Sequence, residues 1–179
     1  MEDPKTILVD ILTRNISITK DDGVTPANIQ IMTKWYDDKT MNACDGIVTM
    51  GTIDDTVLPS GLGDPCDDHT HVSEINVWAS TKFDANGNQV VTDDTMRWKL
   101  VQAVSQIIKA NEYYPQYSPW GTGQPADYPV HHNTLVPSGI HTMRLRVWRE
   151  LDDPQHTPYP LRRTQNEIES FFQAVDLSA

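Results

Sequence analysis

The sequence is poor in cysteine, phenylalanine and basic residues, and it has no long apolar run. Its 179 residues include two cysteines, three phenylalanines, and 14 Lys and Arg against 25 Asp and Glu, so the formal net charge is −11. The scarcity of basic residues argues against a general nucleic-acid-binding protein, because such proteins neutralise phosphates with clustered Lys and Arg. No apolar run approaches the roughly 20 residues that span a bilayer.

The length fits one domain. The acidic N-terminus lacks a signal-peptide pattern, so we expect synthesis in the cytoplasm.

The two cysteines are Cys44 and Cys66. In a chain made in the cytoplasm, both are expected to be reduced and structural. A disulfide between them is the alternative, and it would require assembly outside a reducing cell. A catalytic cysteine would need a base, an orienting group and an oxyanion site, and the local sequence supplies none of these.

Aspartate provides most of the negative charge, with 19 Asp against 6 Glu. Because Asp favours turns and helix caps, we interpret the six Asp-Asp pairs as boundaries between elements and as solvated surface. These pairs begin at residues 21, 37, 54, 67, 93 and 152. A calcium loop is not expected, because the sequence after Asp21-Asp22-Gly23 lacks the alternating ligands of such a loop.

Apolar periodicity predicts two main helices. The first spans about residues 4–14, because Asp3 is a suitable cap, Pro4 suits the first turn, and apolar residues recur on one side. The second spans about residues 93–112 and begins at Asp93-Asp94, since acidic residues favour a helix N-terminus. Its apolar stripe consists of Met96, Leu100, Val101, Val104, Ile107 and Ile108.

Alternating apolar and polar residues predict four strands. They span residues 29–36, 46–53, 69–79 and 140–150. The first two are expected to be hairpin neighbours. Residues 113–138 contain five prolines and predict a long loop, which in a compact domain is usually functional or binds a partner.

The C-terminal segment is predicted to be an amphipathic helix. The sequence from Thr164 to Glu167 is a capping-box pattern, and the apolar residues after it have helical spacing. These residues are Ile168, Phe171, Phe172 and Val175. The order α-β-β-β-α-β predicts an α+β domain over residues 1–150, with a mostly antiparallel four-stranded sheet packed by two helices. Residues 151–179 are then a Pro-containing linker and a docking helix.

Two histidines are the most suggestive candidates for a metal site. His69 and His71 lie two apart in a predicted strand, so both face the same way and could reach one metal ion. Further ligands would have to come from Cys66, His131 or His132. Because the spacing matches no specific zinc motif, we predict a polar strand entry without metal or other cofactor. A small metal-dependent enzyme built on His69 and His71 is the alternative.

Positive charge concentrates late in the chain: the net charge is 8 − 17 = −9 over residues 1–100 and 6 − 8 = −2 over residues 101–179. Arg144 and Arg146 are predicted to share the outward face of the last strand with Trp148. Arg and Trp are enriched at interface hot spots, although solvated charge paired with acidic surface is the alternative. We therefore select five interface candidates and no catalytic residue. The candidates are Arg144, Arg146, Trp148, Phe171 and Phe172.

The layout resembles the tail-terminator, or tail-completion, proteins of long-tailed phages and archaeal tailed viruses. The resemblance covers residues 1–150 and rests on a short helix ending near Asn15, two strands, a long third strand ending in Asn76-Val77-Trp78, one long helix, and a late strand at residues 143–148. It implies a non-enzymatic virion subunit at the tail–neck junction. Such subunits form rings, commonly hexamers, on the last ring of tail-tube protein.

Members of this family stop tube growth and provide the surface to which the head docks. The resemblance implies three kinds of contact: with other copies, with the tail-tube protein and with a neck or head-completion protein. It also implies that DNA passes through the lumen without sequence-specific binding. Neighbouring neck and head-completion proteins have a similar pattern and are an alternative. A cellular binding module with a Pro-rich recognition loop is another.

Overall fold

The computed structural model describes residues 3–33, 38–59, 66–117, 135–151 and 161–175. Its helices are α1 (Pro4–Asn15), α2 (Asp38–Ala43) and α3 (Asp93–Ala110). Its strands are β1 (Ile29–Met32), β2 (Gly46–Pro59), β3 (Cys66–Ser80), β4 (Lys82–Phe83), β5 (Gln89–Val91), β6 (Gln116–Tyr117), β7 (Val136–Pro137), β8 (Ile140–Leu145), β9 (Arg149–Glu150) and β10 (Leu161–Val175). Within the described ranges, no helix is long and apolar enough to cross a membrane.

Both predicted main helices are confirmed. The Asp3 side chain caps α1 by accepting a hydrogen bond from the backbone N–H of Lys5 at 3.0 Å. Helix α3 carries Asp93 and Asp94 in its first turn and Lys109 in its last turn, and these charges complement the helix dipole. Each helix buries the apolar side that its periodicity predicts.

The main sheet has the strand order β1-β2-β3-β10-β8, and β9 also pairs with β10. Strand β3 is antiparallel to both of its neighbours, β2 and β10, and these three strands have 14 or 15 residues each. Helices α1 and α3 pack on one face, which we call the inner face, and their apolar residues form one core with those of the sheet. The α+β class and the mostly antiparallel sheet are confirmed, but the number and order of the strands differ from the prediction.

The expected hairpin between the first two strands is wrong. Strand β1 pairs with β2 in the parallel direction, with Ile29 opposite Gly46 and Met32 opposite Thr49. Parallel neighbours need a crossover, and the connection here contains the short helix α2. Of the predicted strand over residues 29–36, residues Ile29–Met32 form β1 and Thr33 is a bend, whereas residues 34–36 lie outside the described residues.

The predicted C-terminal helix is also wrong. Residues 161–175 form β10, which pairs with β3 along its whole length and with β8 on its other side. The side chains of β10 that face the core alternate along the strand, as a strand requires. They are Thr164, Asn166, Ile168 and Ser170, all buried. Three of these four core-facing residues are polar, so they do not show a strand period in the sequence. The apolar residues of the segment, taken alone, have the spacing of a helix. This segment therefore belongs to the same sheet as the preceding strands and is not an appended docking helix.

The predicted strand over residues 140–150 is interrupted. Strand β8 ends at Leu145 and β9 begins at Arg149. Between them, Val147 is exposed, whereas the Trp148 indole turns toward α3 and donates a hydrogen bond from Nε1 to Ser105 Oγ at 3.1 Å. Trp148 packs against the main core. The predicted common face of Arg144, Arg146 and Trp148 is therefore wrong.

The predicted loop over residues 113–138 has a regular base. Strand β6 pairs with β7, and the backbone N–H of Ser138 donates to the carbonyl of Pro115 at 3.1 Å. The predicted loop over residues 113–138 is thus wrong at its two ends, which form a short pair of strands. The interior of the loop, residues 118–134, lies outside the described residues.

A second, smaller cluster lies on the opposite, outer face of the sheet, under α2. It consists of Met41, Cys44, Ile47 and Trp78. Cys44 is buried and free, and it lies beside the start of β2, where Gly46 is opposite Ala79. Cys66 is 13 residues before Ala79 on β3, which is about 40 Å at ~3.3 Å per residue. A disulfide needs Cα atoms within about 7 Å, so the geometry excludes this pairing.

Candidate functional site

Three arginines form an exposed cluster with acidic partners near β8 and β9. Arg146 Nη1 lies 3.2 Å from Glu167 Oε2, and Arg149 Nη2 lies 3.9 Å from the other oxygen of the same carboxylate. Arg144 Nε lies 3.3 Å from Glu112 Oε1. The arginine side chains are 51–61% exposed, so each pair contributes only about 0–1 kcal/mol. A guanidinium has five N–H donors, and donors therefore remain for another chain.

Arg163, in contrast, holds two strands together on the outer face. Its guanidinium lies 4.8 Å from the centre of the Trp78 ring. Its Nε donates to Asn76 Oδ1 at 2.9 Å, and its Nη2 donates to Glu74 Oε1 at 3.0 Å. Because a linker and a helix were predicted for this part of the chain, the contact of Arg163 with Trp78 could not be predicted from the sequence. We assign Arg163 to the stability of the sheet.

Phe171 is half-buried and belongs to an aromatic row at the edge of the same face. Its ring packs edge-on against His141 with centroids 6.0 Å apart, and His141 lies 5.6 Å from the exposed Tyr114. In the strand register, Phe171 is opposite Thr142 and Glu169 is opposite Arg144. Phe171 and Arg144 therefore share a face, as interface candidates should. The side chain of Phe172 lies outside the described residues.

A cleft of about 220 Å³ lies between α3 and β9. Its lining residues are Arg97, Trp98, Val101, Trp148, Glu150 and Thr164. Trp98 is 55% exposed, which is unusual for so large an apolar side chain. Trp98 was not predicted as a functional residue, because it lies outside the apolar stripe that predicted α3. The signal in the sequence that could have identified it is a tryptophan between two charged residues, Arg97 and Lys99, on a predicted helix.

The two candidate histidines lie on the inner face and approach one carboxylate. His69 Nδ1 lies 3.9 Å from Asp55 Oδ1, and His71 Nδ1 lies 4.0 Å from the same oxygen. Asp55, His71 and Ser170 are directly opposite one another on β2, β3 and β10. The prediction that both histidines face the same way is confirmed. Asp55 could not be predicted as their neighbour, because its position depends on the register shift near Ile53.

Burial of His71 favours its neutral form. Its side chain is 5% exposed, and burial lowers its pKa, with a smaller opposing effect of the Asp55 carboxylate. Neither His71 Nε2 nor the buried hydroxyl of Ser170 has a hydrogen-bond partner among the described residues.

No group of three His, Cys, Asp or Glu side chains in the described part of the chain is arranged to hold a metal ion. The other suggested ligands, Cys66, His131 and His132, have side chains outside the described residues. The expectation that no metal binds therefore stays a prediction.

The lowered pKa of His71 makes stability depend on pH. Because the folded state binds the proton less readily than the unfolded state, the free energy of unfolding should fall as the pH drops below the ordinary histidine value of about 6.5. The loss should continue until the pH reaches the folded-state pKa. We expect His71→Gln to lose less stability than the wild type between about pH 7.5 and about pH 5. Urea unfolding gives the free energy of unfolding of the wild type and of His71→Gln at each pH. The difference between the two proteins at about pH 7.5 measures the effect of the substitution on packing alone. Equal losses in the two proteins would contradict the burial of neutral His71.

The chain matches no protein-family model and no curated protein sequence. Its function must therefore be argued from the described residues themselves.

Proposed function

We propose that this chain is a structural virion protein that assembles as a ring, caps the tail tube and forms the interface to the neck and head. The order of α1, β1, β2, β3, α3 and β8 agrees with the layout on which the resemblance to tail-terminator proteins rests. Helix α2, strand β10 and the short strands β4, β5, β6, β7 and β9 are additions to that layout. A neck or head-completion protein of similar architecture is the second candidate, and the same observations favour it.

The observation that carries the proposal is the set of large side chains left in solvent. Trp98, Tyr113 and Tyr114 are 55–71% exposed, and Arg144 and Arg146 are exposed as well. Aromatic residues and arginine are the types enriched at protein interfaces, and exposed apolar patches mark interaction sites. A subunit that contacts other copies, a tail-tube ring and a neck protein needs several such surfaces.

We propose no catalytic role for the chain. Three clefts border α1 and β1, α3 and β8, and α3 and β9. Within the described residues, no histidine, cysteine or aspartate lines any of them, and the carboxylates that do, Glu112 and Glu150, are both within ion-pair distance of an arginine. His71, which has the most distinctive titratable environment, is buried on the inner sheet face. This arrangement favours a role for His71 in the core over a role in chemistry.

The acidity of the chain fits a DNA conduit. A net charge of −11 per subunit, multiplied around a ring, repels the phosphate backbone. DNA would then pass through the lumen without adhering and without sequence-specific contacts.

Native mass spectrometry and electron microscopy of the purified protein test the proposed assembly. We expect closed rings, with six subunits as the expected number, either alone or on purified tail-tube protein. A protein that stays monomeric at every concentration, with and without the tail-tube protein, would contradict the proposal. Zinc content provides a separate check: about one zinc per chain that is lost in His71→Ala would support the metal-dependent alternative instead.

A further inference from the structure

We propose that the Asn86-Gly87 pair, at the turn between β4 and β5, is a site of spontaneous deamidation, and that the side chain of Asp84 slows this reaction. Asparagine followed by glycine occurs once in the chain. The modification would add a negative charge to the folded protein as it ages, whether or not the chain assembles as a ring.

The reaction needs only the chain itself and water. The backbone nitrogen of Gly87 attacks Cγ of the Asn86 side chain, and a bond forms between these two atoms. The Cγ–Nδ2 bond breaks, and the side-chain nitrogen leaves as ammonia with the proton that the Gly87 N–H gives up. Water then opens the five-membered imide at either carbonyl, which gives aspartate or isoaspartate at position 86. Either product has a carboxylate in place of a neutral amide.

The structure leaves both reacting residues in solvent. Asn86 and Gly87 are exposed, and a Cβ atom built on Gly87 would have no neighbour within 4 Å. Gly87 therefore has neither a side chain nor a packed neighbour to shield its nitrogen. Glycine also gives the backbone the conformational freedom that ring closure requires.

The Asp84 carboxylate holds this turn together. Its Oδ1 accepts hydrogen bonds from the backbone N–H groups of Asn86 and Asn88, both at 2.8 Å, and its Oδ2 accepts one from the Asn88 side chain at 3.0 Å. The hydrogen bonds from Asn88 are the main reason that the pKa of Asp84 is lowered. The N–H of Gly87 donates to the backbone carbonyl of Asp84 at 3.1 Å. Because attack by Gly87 requires this last bond to open, the contacts of Asp84 should slow the reaction.

The strand pair behind the turn is short. Lys82 is opposite Val91 and Phe83 is opposite Gln89, with a register shift between the two pairs. A two-stranded hairpin is marginally stable by itself, and exposed turns open locally at a small cost in free energy. The tip of this hairpin can therefore open while the rest of the protein stays folded.

The two pairs of aspartate and glycine in the chain are better protected from the corresponding ring closure. Asp22 precedes Gly23, but hydrogen bonds, chiefly from Thr25, lower the pKa of its carboxyl to about 2. Ring closure on aspartate requires the neutral acid, which is scarce at neutral pH for such a group. Asp45 precedes Gly46 and is buried. The Asn-Gly pair is therefore expected to react first.

Peptide mass spectrometry of the folded full-length protein, incubated over days at neutral and at mildly alkaline pH, tests the inference. Asn88 is the internal control, because it lies in the same turn and is also exposed, but Gln89 follows it. We expect Asn86 to gain the mass of an amide-to-acid conversion several-fold faster than Asn88. The rate should rise with pH, because the attacking nitrogen must lose its proton.

Two variants separate the chemistry from the role of Asp84. Asn86→Gln should remove the conversion, because ring closure on the longer side chain is far slower. Asp84→Ala should speed conversion at Asn86 several-fold, because the turn opens more often. Thermal unfolding of each variant checks that the fold is retained. If Asn86 converts no faster than Asn88 in the folded protein, the proposed modification site is wrong. If Asp84→Ala converts at the wild-type rate, the proposed role of Asp84 is wrong.

Discussion

A chain that ends at residue 160 is expected not to fold. The deletion removes β10, which lies between β3 and β8 and contributes Ile168 to the main core with 0% exposure. Without it, two long strand edges and the core beneath them would be open to water, and the loss exceeds the roughly 5–15 kcal/mol by which domains are stable. Circular dichroism and urea unfolding should show no cooperative transition.

A chain that ends at residue 175 is the control, because β10 ends at Val175, and we expect it to unfold like the full chain. At the level of single residues, Ile168→Ala should lower the free energy of unfolding by about 2–5 kcal/mol. Its neighbour Glu169 is partly exposed on the other face, so Glu169→Ala should cost less than about 1 kcal/mol. A shortened chain of 160 residues with a normal unfolding transition would restore the interpretation of an appended C-terminal segment.

The second large effect is expected where α3 packs on the start of β2. A Cβ atom at Gly46 would lie 2.6 Å from Leu100 Cδ1 and 3.4 Å from the backbone oxygen of Trp78. Leu100 has 0% exposure and has little room to move. Gly46→Ala should therefore cost about 1–3 kcal/mol through overpacking, and Leu100→Ala should cost about 2–5 kcal/mol through a cavity.

The double variant is the sharper measurement. In Gly46→Ala/Leu100→Ala, the new methyl group enters space that the leucine has left. The combined loss should therefore be smaller than the sum of the single losses by about 1 kcal/mol or more. Urea unfolding of the four proteins gives this coupling energy. Strictly additive losses would mean that α3 does not pack on Gly46 in the way described.

The elements that the sequence predicted correctly have an unmixed periodicity. Helices α1 and α3 carry apolar residues on one side, and the core-facing residues Ile75, Val77 and Ala79 of β3 recur at every second position. Strand β10 was missed because its core-facing residues include Thr164, Asn166 and Ser170. These residues are polar although they are buried, so the pattern of polar and apolar residues does not show which side of the strand faces the core. The parallel direction of β1 was missed because α2 is too short to have an apolar stripe, and the Asp-Asp pair that begins at residue 37 indicated only a strand end.

The candidate surface was predicted in part for a related reason. Exposure of Arg144 and Arg146 follows from their charge, and the structure places both in solvent. The inward turn of Trp148 depends on the break after Leu145, which a regular alternation could not reveal. The approach of Asp55 to His69 and His71 depends on the register between β2 and β3. This register is set by the pairing of the two strands, so it could not be predicted from either segment alone.

The location of the chain in virus particles tests the central proposal most directly. Particles purified from the organism that encodes the chain can be labelled with an antibody against it and viewed by electron microscopy, with mass spectrometry of the same particles. The proposal predicts label at the junction of tail and neck, and a few copies per particle, in agreement with a single ring. Absence of the chain from purified particles, or label along the whole tail or over the head shell, would contradict it.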